Sequence, residues 1–368
     1  MASDGPAEAT LPASAVVFPP GYLTLPAFAE PHAHLDKAFL AETIDNPTGD
    51  LMGAIVAMEA NRRRITLHDT IERAERAARL MLANGTLAIR THADTTIENG
   101  LMSVEALITV RERLRGLVDI QVVALCGWPS IGAVGADQRA LLREAISMGV
   151  DVVGGCPHLE TDPVAANANF LEMAAAAGLP VDLHTDETLN PAVSGLDDLS
   201  TRVLRSGFAH RVTASHCVSL GVQSLGEQQR IAEQVAAAGI HVIALPHTNL
   251  FLLGRDHQSA MPRGLTAVRA LMAAGVNVAA GADNLQDPFN PVGRGDPLET
   301  AALMMMTAHL LPDEALASIT TAPLHLMGLG GSDDIVAVRA TTVREAIAFG
   351  PADRIVVRNG RIVAGVLS

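Results

Sequence analysis

The stretch Pro26-Ala-Phe-Ala-Glu-Pro-His32-Ala-His34-Leu-Asp36-Lys37 decides how this chain is read. A short apolar run ends in two histidines spaced two apart. In a β-strand, residues i and i+2 point to the same side. His32 and His34 can therefore grip one metal ion. The plainer reading is a strand whose two polar residues meet solvent. The metal reading gains weight because further candidate ligands and acid–base groups end later runs.

Seven more apolar runs follow, at Thr86–Thr91, Ile120–Leu125, Val150–Gly154, Pro180–Leu183, Val212–Ser215, Ile240–Leu245 and Val276–Gly281. Helical patterns lie between them, such as Thr70–Ala83 with Ile71, Ala74, Ala78 and Leu82 on one face. Others span Ala136–Ser147, Ala165–Ala177, Leu196–Ser206, Ser224–Ala238 and Thr266–Ala274. Many stop at a glycine just before the next run, as at Asn84-Gly85 and Ala177-Gly178, the usual helix end before an αβ turn. Eight strands each followed by a helix predict an α/β fold with a parallel sheet. Eight is also the number that closes a (β/α)₈ TIM-like barrel of ~250 residues. An open doubly wound sheet is the alternative, but no Gly-x-Gly-x-x-Gly follows the first run.

The chain ends stand apart from that pattern. Ile335–Val338 and Arg354–Ala364 read as strands, with Asn359-Gly360 as a hairpin turn. With Val16–Leu25 they predict a small β-sandwich-like domain. The expected division is residues 1–24 and 330–368 for that domain, and 25–329 for the barrel.

The chain has 368 residues, 49% hydrophobic but only 3% aromatic, so its core is built from small aliphatics. A formal net charge of −14 argues against a nucleic-acid partner. Lys37 is the only lysine. Cys126, Cys156 and Cys217 lack metal-type spacing and suggest no disulfide framework, which predicts a reducing cytoplasm. Met1–Pro12 has no signal-peptide pattern. No apolar run is long enough for a membrane span, so no membrane partner is expected. A homo-oligomer is expected.

In a barrel, chemistry gathers at the C-terminal ends of the strands. Seven of thirteen histidines fall there: His32, His34, His92, His158, His184, His216 and His247. The fifth run leads into Asp182-Leu-His184-Thr-Asp-Glu187. There an imidazole can bind metal while a carboxylate three residues on moves protons. The same acids also suit a helix N-terminus. The eighth run ends Gly281-Ala-Asp283-Asn284. Asp283 can complete a His₃Asp shell, accept a proton from water, or simply cap a helix. His32, His34, His184 and Asp283 together leave an open coordination position. An ion held there lowers the pKa of a bound water to about 7.

Taken in order, these segments resemble the amidohydrolase superfamily, and within it the bacterial cytosine deaminase-like group. The matching pieces are Glu30–Asp36, Arg90-Thr-His-Ala-Asp94, Val153–Glu160, His184–Glu187, Thr213–His216, the Asn249…Gly254-Arg255 loop and Asp283–Pro288. The His-Leu-Asp-Lys start also resembles the N-alkyl-ammelide aminohydrolases. The resemblance implies that His32, His34, His184 and Asp283 bind one divalent metal ion, zinc or iron. It implies that Glu187 shuttles protons, that His216 orients the attacking water, and that His158 lines the pocket. The fourth run has no lysine, so the subgroup whose two metals share a carboxylated lysine does not fit.

Two departures concern the substrate. Trp128-Pro129-Ser130 stands where the group carries a glutamine, and Asn284 stands where it carries a second aspartate. Ser130 cannot present an amide's paired donor and acceptor, whereas Trp128 offers a flat face to stack on a ring. Trp128, Ser130, His158 and Asn284 are the expected substrate contacts. The expected activity is hydrolysis of a C–N bond on a small nitrogen heterocycle, releasing ammonia or an amine, with cytosine a poor substrate. The alternatives are opening of a cyclic amide and a non-catalytic metal- or ligand-binding barrel.

Overall fold

A computed structural model describes residues 16–330 and 333–366. The expectation for Met1–Pro12, and most of the small domain's first segment, lies outside these residues. Eight parallel strands run in chain order: β2 (Phe28–Ala33), β3 (Thr86–Thr95), β4 (Asp119–Cys126), β5 (Val152–Gly155), β6 (Val181–Thr185), β7 (Val212–His216), β8 (His241–Ala244) and β9 (Val278–Ala280). Each of the eight runs read from the sequence lies within or over one of them. β2 and β9 approach through a parallel bridge between Ala33 and Asp283, which brings the barrel to closure.

The helices between strands form for local reasons. Leu67–Ala83 starts at Thr66, whose hydroxyl accepts from the Asp69 N–H, a side-chain N-cap. Its stripe Ile71, Ala74, Ala78 and Leu82 is buried against the barrel, as a 3.6-residue period requires. Pro163–Ala177 is capped by Asp162 and carries Pro163 at its first position. It packs close because Gly155 faces Phe170: a Cβ there would lie 2.2 Å from the ring.

The ends pair in one antiparallel sheet of order β1-β10-β11-β12, comprising β1 (Tyr22–Pro26), β10 (Ile335–Arg339), β11 (Arg354–Arg358) and β12 (Arg361–Ala364). Asn359 and Gly360, both at positive φ, turn β11 into β12, as a tight hairpin demands. β1 runs to Pro26, two residues beyond the expected boundary, and only Ala27 separates it from β2. Arg354 ties the sheet to the barrel through a buried two-point contact with Asp296, at 2.8 and 2.6 Å. Among the described residues no helix is long and apolar enough to cross a membrane.

Candidate metal centre and cavity

The C-terminal ends of the barrel strands surround a cavity of roughly 370 Å³. Its floor carries His34, His184, His216, Glu187 and Asp283. His32 lies just beneath them, fully buried. The closing seam places three of these groups. The Asp283 N–H donates to the His32 carbonyl at 3.0 Å, and the His34 N–H donates to the Asp283 carbonyl at 3.2 Å. Glu30 braces the same seam, accepting from His32 N at 3.0 Å and Ala282 N at 2.9 Å. Burial pushes the Glu30 carboxyl up to about 8, against those two donors. Asp283 and His216 both sit in left-handed backbone, at φ 65 and 68. Such conformations cost roughly 1–3 kcal/mol and gather at functional sites.

The donor set fits a divalent ion. His34 Nε2 lies 3.2 Å from His184 Nε2 and 3.2 Å from Asp283 Oδ1. His32 Nε2 lies 3.6 Å from the same oxygen. Ligand atoms ~2.0–2.1 Å from one tetrahedral ion stand roughly 3.3 Å apart. His32 Nε2 and both Asp283 oxygens are buried without a hydrogen-bond partner, and such orphans are costly unless something else binds them. Burial and the neighbouring imidazoles hold His32 and His184 well below the ordinary histidine range, so they are neutral and able to ligate. Burial, with the charges of Glu187 and Asp287, raises Asp283.

The groups beneath orient these ligands. Ser215 Oγ donates to Asp182 Oδ1 at 2.8 Å, so it accepts from His32 Nδ1 at 2.9 Å. That leaves the His32 Nε2 lone pair free to face the site. Arg90 holds Asp182 at 2.9 Å. Burial works against the Asp182 charge, but His92, Arg90 and Ser215 outweigh it and lower its pKa. Fixing a ligand's tautomer from behind is how metal sites are tuned. Lys37 lies beside His34, its Nζ 3.2 Å from Nδ1, and donates to Asp94 at 2.7 Å. Burial disfavours this ammonium, but Asp36 and Asp94 outweigh it and raise its pKa.

Glu187 and Asp186 divide the work that the sequence left shared between them. Asp186 caps the helix Gly195–Ser206, accepting from Gly195 N and Leu196 N at 2.9 Å each. Glu187 points into the cavity. Burial pushes it up to about 8, which suits proton transfer near neutrality. His158 Nδ1 donates to the His184 carbonyl at 2.9 Å, and its Nε2 faces Glu187 Oε2 at 3.8 Å.

Of the expected substrate contacts, Trp128, His158 and Asn284 line the cavity. Trp128 stands at the mouth, 40% exposed. Ser130 is buried away from it. Glu160 accepts the Ser130 N–H at 2.6 Å and Arg139 holds its carbonyl at 2.6 Å, turning the residue inward. His92 stacks beneath His32 at 3.9 Å between centroids, and His247 pairs with Glu299 at 3.6 Å. Neither reaches the cavity. The helix Leu51–Asn61 roofs it, presenting Leu51, Ile55 and Met58.

Residues 69–363 match the Amidohydrolase family, and the chain belongs to that family. It is a metal-dependent hydrolase of carbon–nitrogen bonds other than peptide bonds. A pterin deaminase from Rhizobium rhizogenes is 35% identical over 353 residues, covering 92% of this chain and 80% of the relative. An N-isopropylammelide isopropyl amidohydrolase from a Pseudomonas species is 24% identical over 368 residues, covering 93% and 86%. Among solved structures, 5-methylcytosine deaminase from Klebsiella pneumoniae with phosphonocytosine superposes with a TM-score of 0.87 at 29% identity, covering 94% of this chain and 88% of that one.

Proposed function

We propose that this protein is an aminohydrolase that removes an exocyclic amine from a pterin-type ring. The observation that carries the reading is the convergence of Glu187, His216 and the His32–His34–His184–Asp283 donor set on one cavity floor. The 35% identity to a pterin deaminase supports the ring class. One divalent ion, zinc or iron, held by those four residues supplies Lewis acidity that activates water at neutral pH. Water adds to the ring carbon bearing the amine. Glu187 takes one proton from that water and delivers it to the ring nitrogen, and the second, accepted by Asp283 from the added oxygen, passes to the departing amine. The C–N bond breaks, ammonia leaves and an oxo group remains. His216 orients the attacking oxygen, and Asp283 accepts a proton from it.

The substrate ring lies between Trp128 at the mouth and the polar floor, with His158 and Asn284 beside it. Asn284 donates to Asp287 at 2.7 Å and accepts from Thr248 Oγ1 at 3.2 Å, so its remaining capacity is directional. Lys37 adds a fixed positive charge for a ring oxo group. The cysteines are free, which suits a cytoplasmic protein, and a homo-oligomer is the assembly we expect.

The test is an ammonia-release screen of zinc- or iron-loaded protein over pterins, cytosines, substituted triazines and cyclic amides, with product mass recorded. Ammonia released from a pterin with retention of the ring supports the proposal. Alkylamine release from a triazine, or ring opening, replaces it.

A further inference from the structure

The amide of Asn284 has two ends of similar shape and opposite chemistry. The residue follows β9 and lines the cavity beside Thr248. Its Nδ2 donates to Asp287 Oδ2 at 2.7 Å, and its Oδ1 accepts from Thr248 Oγ1 at 3.2 Å. Among the described residues nothing else takes the second hydrogen of Nδ2 or the second lone pair of Oδ1. Asn284 therefore has one donor and one acceptor left for a bound ring.

Thr248 does not choose between the two ends. Its hydroxyl accepts from Asn284 N–H at 3.3 Å. It can then donate to an amide oxygen, or accept a second time from an amide nitrogen. Asp287 does choose. It is fully buried, and its Oδ1 accepts from Phe289 N at 2.8 Å and from Asn290 N at 3.2 Å. Those two bonds pin the carboxylate, so Oδ2 is the oxygen that meets Asn284. A charged Oδ2 can only accept, and its 2.7 Å contact has the length of a charge-assisted bond. Turned over, Asn284 would set oxygen against oxygen in a buried site, where unpaired acceptors are costly. Burial pushes the Asp287 carboxyl up to about 7, against its three donors and the charge of Lys37, so the carboxylate is charged above that value.

We propose that Asp287 is a positioning residue that fixes the order in which Asn284 presents donor and acceptor to the substrate, and so selects a ring edge with an acceptor on the Asp287 side and a donor on the Thr248 side. The proposal rests on the hydrolytic reading of the site and applies to whichever ring that site takes. An amide free to turn would serve either edge. One held in place rejects the edge that leaves its polar atoms unpaired.

Asp287→Asn tests this with almost no change of shape. The two backbone N–H groups keep the oxygen of the new amide, so its nitrogen faces Asn284 and turns that side chain over. Neutron structures of perdeuterated, zinc-loaded protein at about pH 8.5, above the Asp287 pKa, locate the amide deuterons. They are expected on the Asp287 side of Asn284 in the wild type and on the Thr248 side in Asp287→Asn. Kinetics at the same pH use the ring ranked first in the ammonia screen, with analogues that each lack one ring nitrogen or oxo group. In the wild type one analogue should lose roughly 10–10²-fold in kcat/KM, the cost of leaving a buried donor unpaired. Asp287→Asn should raise KM for the parent ring by a similar factor, more than it lowers kcat, with unchanged zinc content. The penalty for that analogue should disappear. Asn284→Ala should show both effects, and adding Asp287→Asn to it should change nothing further. Deuterons on the Thr248 side in the wild type overturn the proposal. So does an Asp287→Asn enzyme with wild-type KM and selectivity, or additive losses in the double variant. If Asp287→Asn does not fold, the wild-type neutron structure and the selectivity of Asn284→Ala still decide. The neutron structures require no substrate, so failure of the pterin reading would appear only in the ammonia screen.

Discussion

His32 and Asp283 are joined twice: the Asp283 N–H donates to the His32 carbonyl at 3.0 Å, and Asp283 Oδ1 stands 3.6 Å from His32 Nε2. The barrel seam and the ion site are thus the same piece of structure. Metal loading and folding stability should move together.

Purified protein should hold about one tightly bound divalent ion per chain. His184→Ala should lose most of the metal and the activity together. Chelation should lower the melting temperature, since an ion present at a hundred times its Kd adds about 2.7 kcal/mol. Metal analysis and thermal scans check both. Full metal retention by a His32→Ala/His34→Ala double variant would remove these residues from the shell.

Glu187 is buried, raised to about 8, and set apart from the ligands. Glu187→Gln should keep the ion and lose roughly 10²–10⁴-fold in turnover, the worth of a positioned acid or base. Metal content and kcat measured on one preparation decide this. Near-normal turnover would refute the role.

Gly281 leaves room for the brace across the seam. A Cβ there would sit 2.5 Å from Glu30 Oε1 and 3.4 Å from the His32 carbonyl. Gly281→Ala should therefore destabilise by about 1–3 kcal/mol, as overpacking does, and should weaken metal retention. Urea unfolding with parallel metal analysis tests it. An unchanged midpoint would show that Glu30 can move aside without harm.

His241 lies at the opposite end of the barrel. Its Nδ1 is 3.2 Å from Asn277 Nδ2, and its ring packs edge-on against His325. Burial, then the charges of His325, Arg90 and Arg211, lower it from 6.5 to about 4. The unfolded chain then takes up this proton before the folded one does. Its contribution to stability is fully present above pH 6.5 and lost as pH falls through 4. His241→Gln should flatten that part of the stability curve, read as the wild-type minus variant difference in melting temperature between pH 7 and 4. A difference that does not vary with pH would dismiss the effect.

Selectivity should favour a pterin over cytosine in kcat/KM. Trp128→Ala should raise KM for the preferred ring more than it lowers kcat, because the indole stands at the mouth, away from the reacting groups. Cytosine as the best substrate by a wide margin would undo our reading of Asn284.

The sequence exposed what is written locally. Eight apolar runs alternating with helical patterns, many of which stop at glycine, marked the barrel. Histidines at the ends of those runs marked the floor of the cavity. Contacts made across the barrel stayed hidden. The Arg90–Asp182–Ser215–His32 chain links residues far apart in sequence. Asp186 and Glu187 are adjacent acids at one strand end, and only the placement of helix Gly195–Ser206 tells the cap from the proton carrier. The burial of Ser130 was not legible because Glu160 and Arg139, which hold its backbone, are remote from the Trp-Pro-Ser segment. The roof helix Leu51–Asn61 escaped because it is apolar on both faces, with Met52 and Val56 exposed, so periodicity did not pick out its inner side.

The pairing of β1 with β10 also sets an order of events during synthesis. The chain emerges from its N-terminus onward, so the segment bearing His32 and His34 appears early. Asp283 appears some 250 residues later, and β10, which brackets the strand just before β2, later still. A nascent chain therefore holds its first two histidines without their carboxylate neighbour and without their anchor. The segment from β10 to β12 completes the support of the first strand of the barrel, and the protein can reach its final ion affinity only once that segment has been made.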